Sequence, residues 1–227
     1  MKKAFILLLV ASFTFSGCEK ITSLFEKDKN NDPNSIGGET TIPINTPGNT
    51  IGLGYIKFGN NSYDAKESIK VIKNDKGLTT FEVKAEIPKG TELENLINRI
   101  PVNIKDASGN INTTFNVKIT SEGIQDFFNK DSKPHTLVKY DANVGDTYKI
   151  TKSDGKTITR TVTQKSTTDD FPYGFYYIKT ITVEQDSRIP GIKKFEFKAN
   201  HKYGLVFMRI YMEDGSTVES YVYTTND

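Results

Sequence analysis

Two Asp-Gly pairs, Asp154-Gly155 and Asp214-Gly215, each stand between runs rich in β-branched and aromatic residues, and that arrangement leaves few folds open. An Asp-Gly pair favours a tight hairpin, because glycine takes positive φ without steric cost. Strands are expected at 136–140, 147–152, 157–165, 175–184, 192–199, 205–213 and 217–223, with turn residues between them. Regular spacing of this kind predicts an antiparallel meander over residues 132–227.

Upstream, 54–131 reads as a smaller β-rich lobe. Strands are expected at 55–58, 62–73, 78–87 and 111–119, and Phe81, Val83, Ala85 and Ile87 alternate with polar partners. Thr91-Glu92-Leu93-Glu94 matches a capping box, and Leu93, Leu96, Ile97 and Ile100 follow helical spacing up to Pro101. A second short helix is expected at 121–129, carrying Ile124, Phe127 and Phe128. The fold class is therefore mainly β (α+β), with one or two short helices. The core rests on 14 Phe and 11 Tyr, since only 36% of the 227 residues are apolar.

The N-terminus sets the expected location. Lys2 and Lys3 precede an apolar stretch from Ala4 to Phe15, and small Ser16 and Gly17 follow it. This is the layout of a secretory signal peptide over residues 1–17. A membrane span needs about 20 apolar residues, and the sequence has no other run approaching that. The single Cys excludes a disulfide framework and a Cys-rich zinc site.

That Cys closes the string Phe15-Ser16-Gly17-Cys18, which resembles the lipobox of bacterial lipoproteins. The resemblance implies cleavage before Cys18, a diacylglycerol on its sulfur and acylation of its new amino group. Acyl chains contribute about 0.8 kcal/mol per buried methylene, so two or three give lasting attachment. Glu19 stands where Asp marks inner-membrane retention in that family, so the resemblance points to the outer membrane of a Gram-negative bacterium. Removing residues 1–17 leaves 210 residues with 28 basic and 28 acidic side chains. A neutral chain without a Lys/Arg stripe argues against nucleic acid as a partner. The membrane, through the N-terminal lipid, is the expected partner.

Residues 18–53 are rich in Asn, Thr, Gly, Lys and Asp, with Pro33, Pro43 and Pro47, and read as the lipidated Cys and a flexible linker. Asp28, Asn30 and Asp32 have the spacing of a calcium loop ending at Glu39, but Pro33 stands where that loop requires Gly. They are read as a solvated linker, and no metal or cofactor is expected.

Within strand 205–213, residues 205–212 are apolar on both faces except at Arg209, and a strand apolar on both sides is covered on both sides. Packing within the protein, a protein partner or a hydrophobic ligand in a pocket would do this; for the pocket, Phe175, Tyr177, Phe207 and Met208 are the candidate ligand-binding residues. Nine of the eleven tyrosines lie at or beyond Tyr140, several in Phe171-Pro172-Tyr173-Gly174-Phe175-Tyr176-Tyr177. Strand propensity accounts for most of them, and Tyr173 stays open between strand packing and partner contact.

Catalytic patterns are sparse. His135 and His201 stand far apart without a ligand-spaced neighbour, and Ser153 and Lys156 flank a hairpin turn rather than opening a helix. Asp169 and Asp170 are adjacent, which points them to opposite faces of a strand. No catalytic residue is assigned. The expectation is a lipid-anchored cell-envelope protein with a non-enzymatic binding or scaffold role. The alternatives are a carrier of lipid or another hydrophobic ligand in a concave sheet, and an envelope hydrolase. In architecture alone the meander is similar to lipoprotein carriers whose curled sheet forms an unclosed barrel.

Overall fold

The structure, a computed structural model, describes residues 34–64, 66–98 and 104–224. Cys18, the calcium-like spacing at 28–32, Ile100 and Pro101 lie outside them. The described chain is mostly β, built as a nearly closed antiparallel sheet with one α-helix. Its strands are β1 (Thr50–Leu53), β2 (Ile56–Phe58), β3 (Asn61–Tyr63), β4 (Glu67–Asp75), β5 (Leu78–Ala85), β6 (Ile111–Thr120), β7 (Gly123–Asp126) and β8 (His135–Lys139). There follow β9 (Thr147–Thr151), β10 (Thr157–Lys165), β11 (Phe171–Tyr173), β12 (Tyr176–Ile178), β13 (Ile181–Asp186), β14 (Ile192–Asn200), β15 (Gly204–Met212) and β16 (Thr217–Thr224). The helix α1 spans Glu92–Asn98.

The main sheet runs β8-β7-β6-β5-β4-β1-β16-β15-β14-β13-β10-β9, with β2 on β16 and β3 on β2; β11 and β12 form a separate pair. The C-terminal strand joins the two expected lobes, since β16 pairs with both β1 and β2. Pairing of β7 with β8 also crosses the boundary expected at residues 131 and 132. One sheet and one main hydrophobic core, with residues from both halves, therefore span 54–131 and 132–224.

Local chemistry explains most elements. The β4–β5 turn is a two-residue hairpin with positive φ at both Lys76 (51°) and Gly77 (87°), a geometry that matches the strand twist. At α1 the Thr91 hydroxyl accepts from Glu94 N at 3.3 Å, and Glu94 reaches back to accept from Gly90 N at 2.7 Å. This is a capping box shifted by one residue at its return arm. Leu93, Leu96 and Ile97 bury the inner face of that helix.

Two expectations are corrected. Residues 121–129 are not a helix: they contain strand β7, all four of whose residues are buried. Ile124, Phe127 and Phe128 imitate helical spacing, but Gly123 lies so close to β8 that a Cβ would stand 2.4 Å from the Val138 carbonyl oxygen. That contact belongs to paired strands. The linker expected at 18–53 also ends earlier, because residues 34–53 pack on the sheet. Ile36, Ile44 and Asn45 are buried, and β1 fills the space between β4 and β16. Asn45 donates its amide to the carbonyls of Thr40 and Ile119, both at 3.0 Å. A polar, turn-rich composition here satisfies backbone groups of the sheet where a linker would use water.

Candidate functional site

Strand β15 is apolar on both faces, and its register shows why. Lys198 pairs with Phe207, and Ala199 with Leu205, so Val206 is an extra residue, a β-bulge. The bulge resets the alternation. Leu205 and Met208 line the interior, while Val206 and Phe207 pack beneath the β11–β12 hairpin on the outside.

The hairpin rests on β15 and β16 through rings rather than through a backbone ladder. Phe171 meets Phe207 at 5.7 Å and Tyr221 at 5.6 Å, centroid to centroid. Tyr173 meets Tyr203 and Tyr223, both at 5.0 Å, and its hydroxyl donates to the Val222 carbonyl at 3.0 Å. Burial pushes the Tyr173 phenol up to about 12. The Lys198 ammonium lies 5.8 Å from the Phe171 ring, and Lys202 lies 5.0 Å from Tyr203. Beside this aromatic sheet runs a ladder of charges: Arg209 pairs with Glu219 at 2.7 Å, and the Tyr211 hydroxyl donates to Glu196 at 2.7 Å.

Inside the sheet lies a cavity of about 70 Å³, lined by apolar side chains including Phe81, Leu137, Phe197 and Met208, with Asp126 also at its wall. Asp126 pairs with Arg160 at 2.6 Å, and both are almost fully buried. Burial pushes the Asp126 carboxyl above its usual range, against the pull of Arg160. Arg160 also donates to Gln185 Oε1 at 2.8 Å and to the carbonyls of His135 and Thr136 at 3.1 and 3.2 Å. It projects into the core from β10, beside Val162, on the strand face opposite the threonines.

These bonds join the two ends of the sheet, where β8 and β9 approach without ladder pairing. His135 Nε2 donates to the Tyr148 carbonyl at 3.1 Å, and Lys139 N donates to the Tyr148 hydroxyl at 3.2 Å. Asn34 lies across the gap. Its amide donates to the Lys149 carbonyl at 2.8 Å, while its own carbonyl accepts from Thr136 Oγ1 at 2.9 Å and from Gln125. Burial, helped by the charge of Arg160, drives the His135 imidazole down to about 2, so it is neutral at ordinary pH.

The four residues expected to line a pocket are dispersed. Met208 faces the interior, and Phe207 is buried under the hairpin on the opposite side. Phe175 and Tyr177 stand in solvent at 107% and 63% exposure. Of the titratable residues weighed for catalysis, His135 is structural and His201 is exposed. Asp169 and Asp170 are exposed at the approach to β11, where Asp170 accepts from Ser166 Oγ at 2.6 Å. Arg160 and Asp126 escaped the sequence reading, although one arginine in register with Ile158 and Val162 was a signal for a buried cation. Among the described residues no cluster of three His, Cys, Asp or Glu side chains has the spacing to hold a metal ion, and no helix is long and apolar enough to cross a membrane.

What fold and site define together is a mainly β protein with a packed interior and an aromatic lid on one outer face. No protein-family model matches the chain, and no curated protein or solved structure matches it either.

Proposed function

We propose that this chain is a lipid-anchored cell-envelope lipoprotein with a binding or scaffold role and no catalytic one. The observation that carries the reading is the only cysteine of the chain, Cys18, placed directly after Ser16-Gly17 at the end of the apolar N-terminal stretch. The expected site of attachment is the outer membrane of a Gram-negative bacterium. Metabolic labelling with radioactive palmitate tests it: wild type takes up label and Cys18→Ala does not. Equal labelling of both overturns the anchor.

The interior supports a scaffold over a carrier. A pocket for a lipid-sized molecule occupies about 300–1,000 Å³, against about 70 Å³ in the apolar cavity inside this sheet. The carrier reading keeps one favourable observation, the apolar lining of that cavity. Mass spectrometry after organic extraction of the purified protein decides between them. Stoichiometric recovery of a lipid would replace the scaffold with a carrier whose sheet opens to admit its cargo.

A further inference from the structure

The β11–β12 hairpin is held by ring contacts along β11 and exposed at its turn, where Tyr176 packs one side of its ring on Tyr173 and Tyr203, both at 6.1 Å. Going along β11, Phe171 packs on Phe207 and Tyr221 within the sheet, and Tyr173 packs on Tyr203 and Tyr223 at its end. The turn at Gly174 and Phe175 therefore projects past the end of the sheet. Phe175 is fully exposed there, with Tyr176 at 49% and Tyr177 at 63%. Lys179 and Lys202 flank it, both exposed, and Asn200 ties the two loops together by donating to the Lys179 carbonyl at 2.8 Å.

The same end of the sheet receives the N-terminal segment. Glu39 accepts from Ser121 N, Asn45 bonds the Ile119 carbonyl, and a Cβ on Gly204 would meet Ile44 at 3.3 Å. Tyr203, next to Gly204, carries the hairpin base. Only fifteen residues separate Cys18 from Asn34, a length of chain that reaches at most about 55 Å.

We propose that the Phe175-Tyr176-Tyr177 tip is a second membrane contact, dipping into the lipid surface to which Cys18 is anchored. The inference rests on the lipid-anchored reading above and adds an orientation to it. The order of side chains suits a lipid surface: a fully exposed Phe at the extremity, tyrosines behind it and lysines behind those. Phe seeks the acyl region, Tyr the headgroup level, and Lys reaches back to phosphate. Rigid presentation by the ring stack spares the entropy that a free loop would lose on insertion.

The chain has no Trp, so Phe175→Trp introduces a unique fluorophore. In the lipidated full chain, reconstituted in phosphatidylethanolamine/phosphatidylglycerol vesicles with brominated acyl chains, its emission shifts to the blue and is quenched. A control, Lys156→Trp in the β9–β10 turn at the other end of the sheet, stays unquenched. Solvent-like, unquenched emission from Phe175→Trp overturns the proposal; that is also the outcome if the tip serves a protein or a glycan. So does equal quenching of both variants. Failure of the anchor is read separately, from an N-terminal peptide whose Cys18 mass is unmodified. In that case the same vesicles are added to the unlipidated chain. The tip must then still be quenched, with Phe175→Ser lowering partition about tenfold, and equal partition of wild type and Phe175→Ser overturns the tip on its own.

Discussion

Two regions of this molecule solve the same problem, holding strands together where no backbone ladder does it, and they solve it with opposite chemistry. At the seam between β8 and β9 the connection is polar and buried: Asp126, Arg160, Gln185, His135 and Asn34 bridge the ends of the sheet. At the outer lid the connection is chiefly a stack of rings, with the Tyr173 hydroxyl bonded to the Val222 carbonyl beneath it. A buried polar network is intolerant, because each group deprived of its partner bears its full desolvation cost. Ring contacts degrade more gradually, since each contributes through area and dispersion. The seam therefore specifies how the sheet closes, and the lid can present a variable surface without endangering the fold.

The largest effect expected from breaking this contrast lies at Arg160. Arg160→Met strands the Asp126 carboxylate in the core and costs about 3–5 kcal/mol in urea unfolding. Adding Asp126→Leu removes the stranded charge and recovers part of that loss, while Gln185 and the His135 and Thr136 carbonyls stay without the arginine donor. A double variant as unstable as the single one would show that the hydrogen bonds of Arg160 to Gln185 and the two carbonyls, not its charge pairing with Asp126, govern the seam.

At the lid, Tyr173→Ala removes a buried ring and costs about 3 kcal/mol. Tyr173→Phe keeps the ring, forfeits one hydrogen bond and costs about 1 kcal/mol. If the two variants proved equally unstable, the hydroxyl rather than the stack would hold the hairpin.

Acid sharpens the seam in a different way. In the unfolded chain the His135 imidazole takes a proton near 6.5, while in the fold it stays neutral down to about 2. The unfolded state therefore binds more protons below 6.5, and the stability present above that pH is lost as pH falls, by about 1.4 kcal/mol per unit. Urea midpoints at pH 7, 6 and 5 measure the slope, and His135→Gln should flatten it between pH 6 and 5. Smaller still is Asn34→Ala, with a loss of about 1–2 kcal/mol and faster amide exchange at Thr136. At the foot of the scale, Phe175→Ser changes stability by less than about 0.5 kcal/mol, because nothing in the fold leans on that ring.

The meander was legible because strand alternation and Asp-Gly turns are local: β9, β10, β14, β15 and β16 fall within about a residue of their expected bounds. Expected strand 175–184 instead divides into β12 and β13, with a hairpin folding back over the sheet. That fold-back depends on Phe207 and Tyr221, which no local pattern brings to Phe171. The candidate pocket dispersed for a related reason. Phe207 and Met208 are neighbours in sequence, and a one-residue bulge opposite Lys198 and Ala199 decides which side of the sheet each one faces.

By itself the sequence determined the strand-rich class, the hairpin turns, the cap of α1 and the lone cysteine behind an apolar stretch, all of them properties written in residues close together along the chain. Tertiary structure decided that β16 would join both halves into one sheet, that residues 34–53 would pack where a linker was expected, and that Arg160 would be buried against Asp126. Those outcomes depend on which backbone groups and charges lack a partner once the strands have assembled, and that is a property of the assembled sheet.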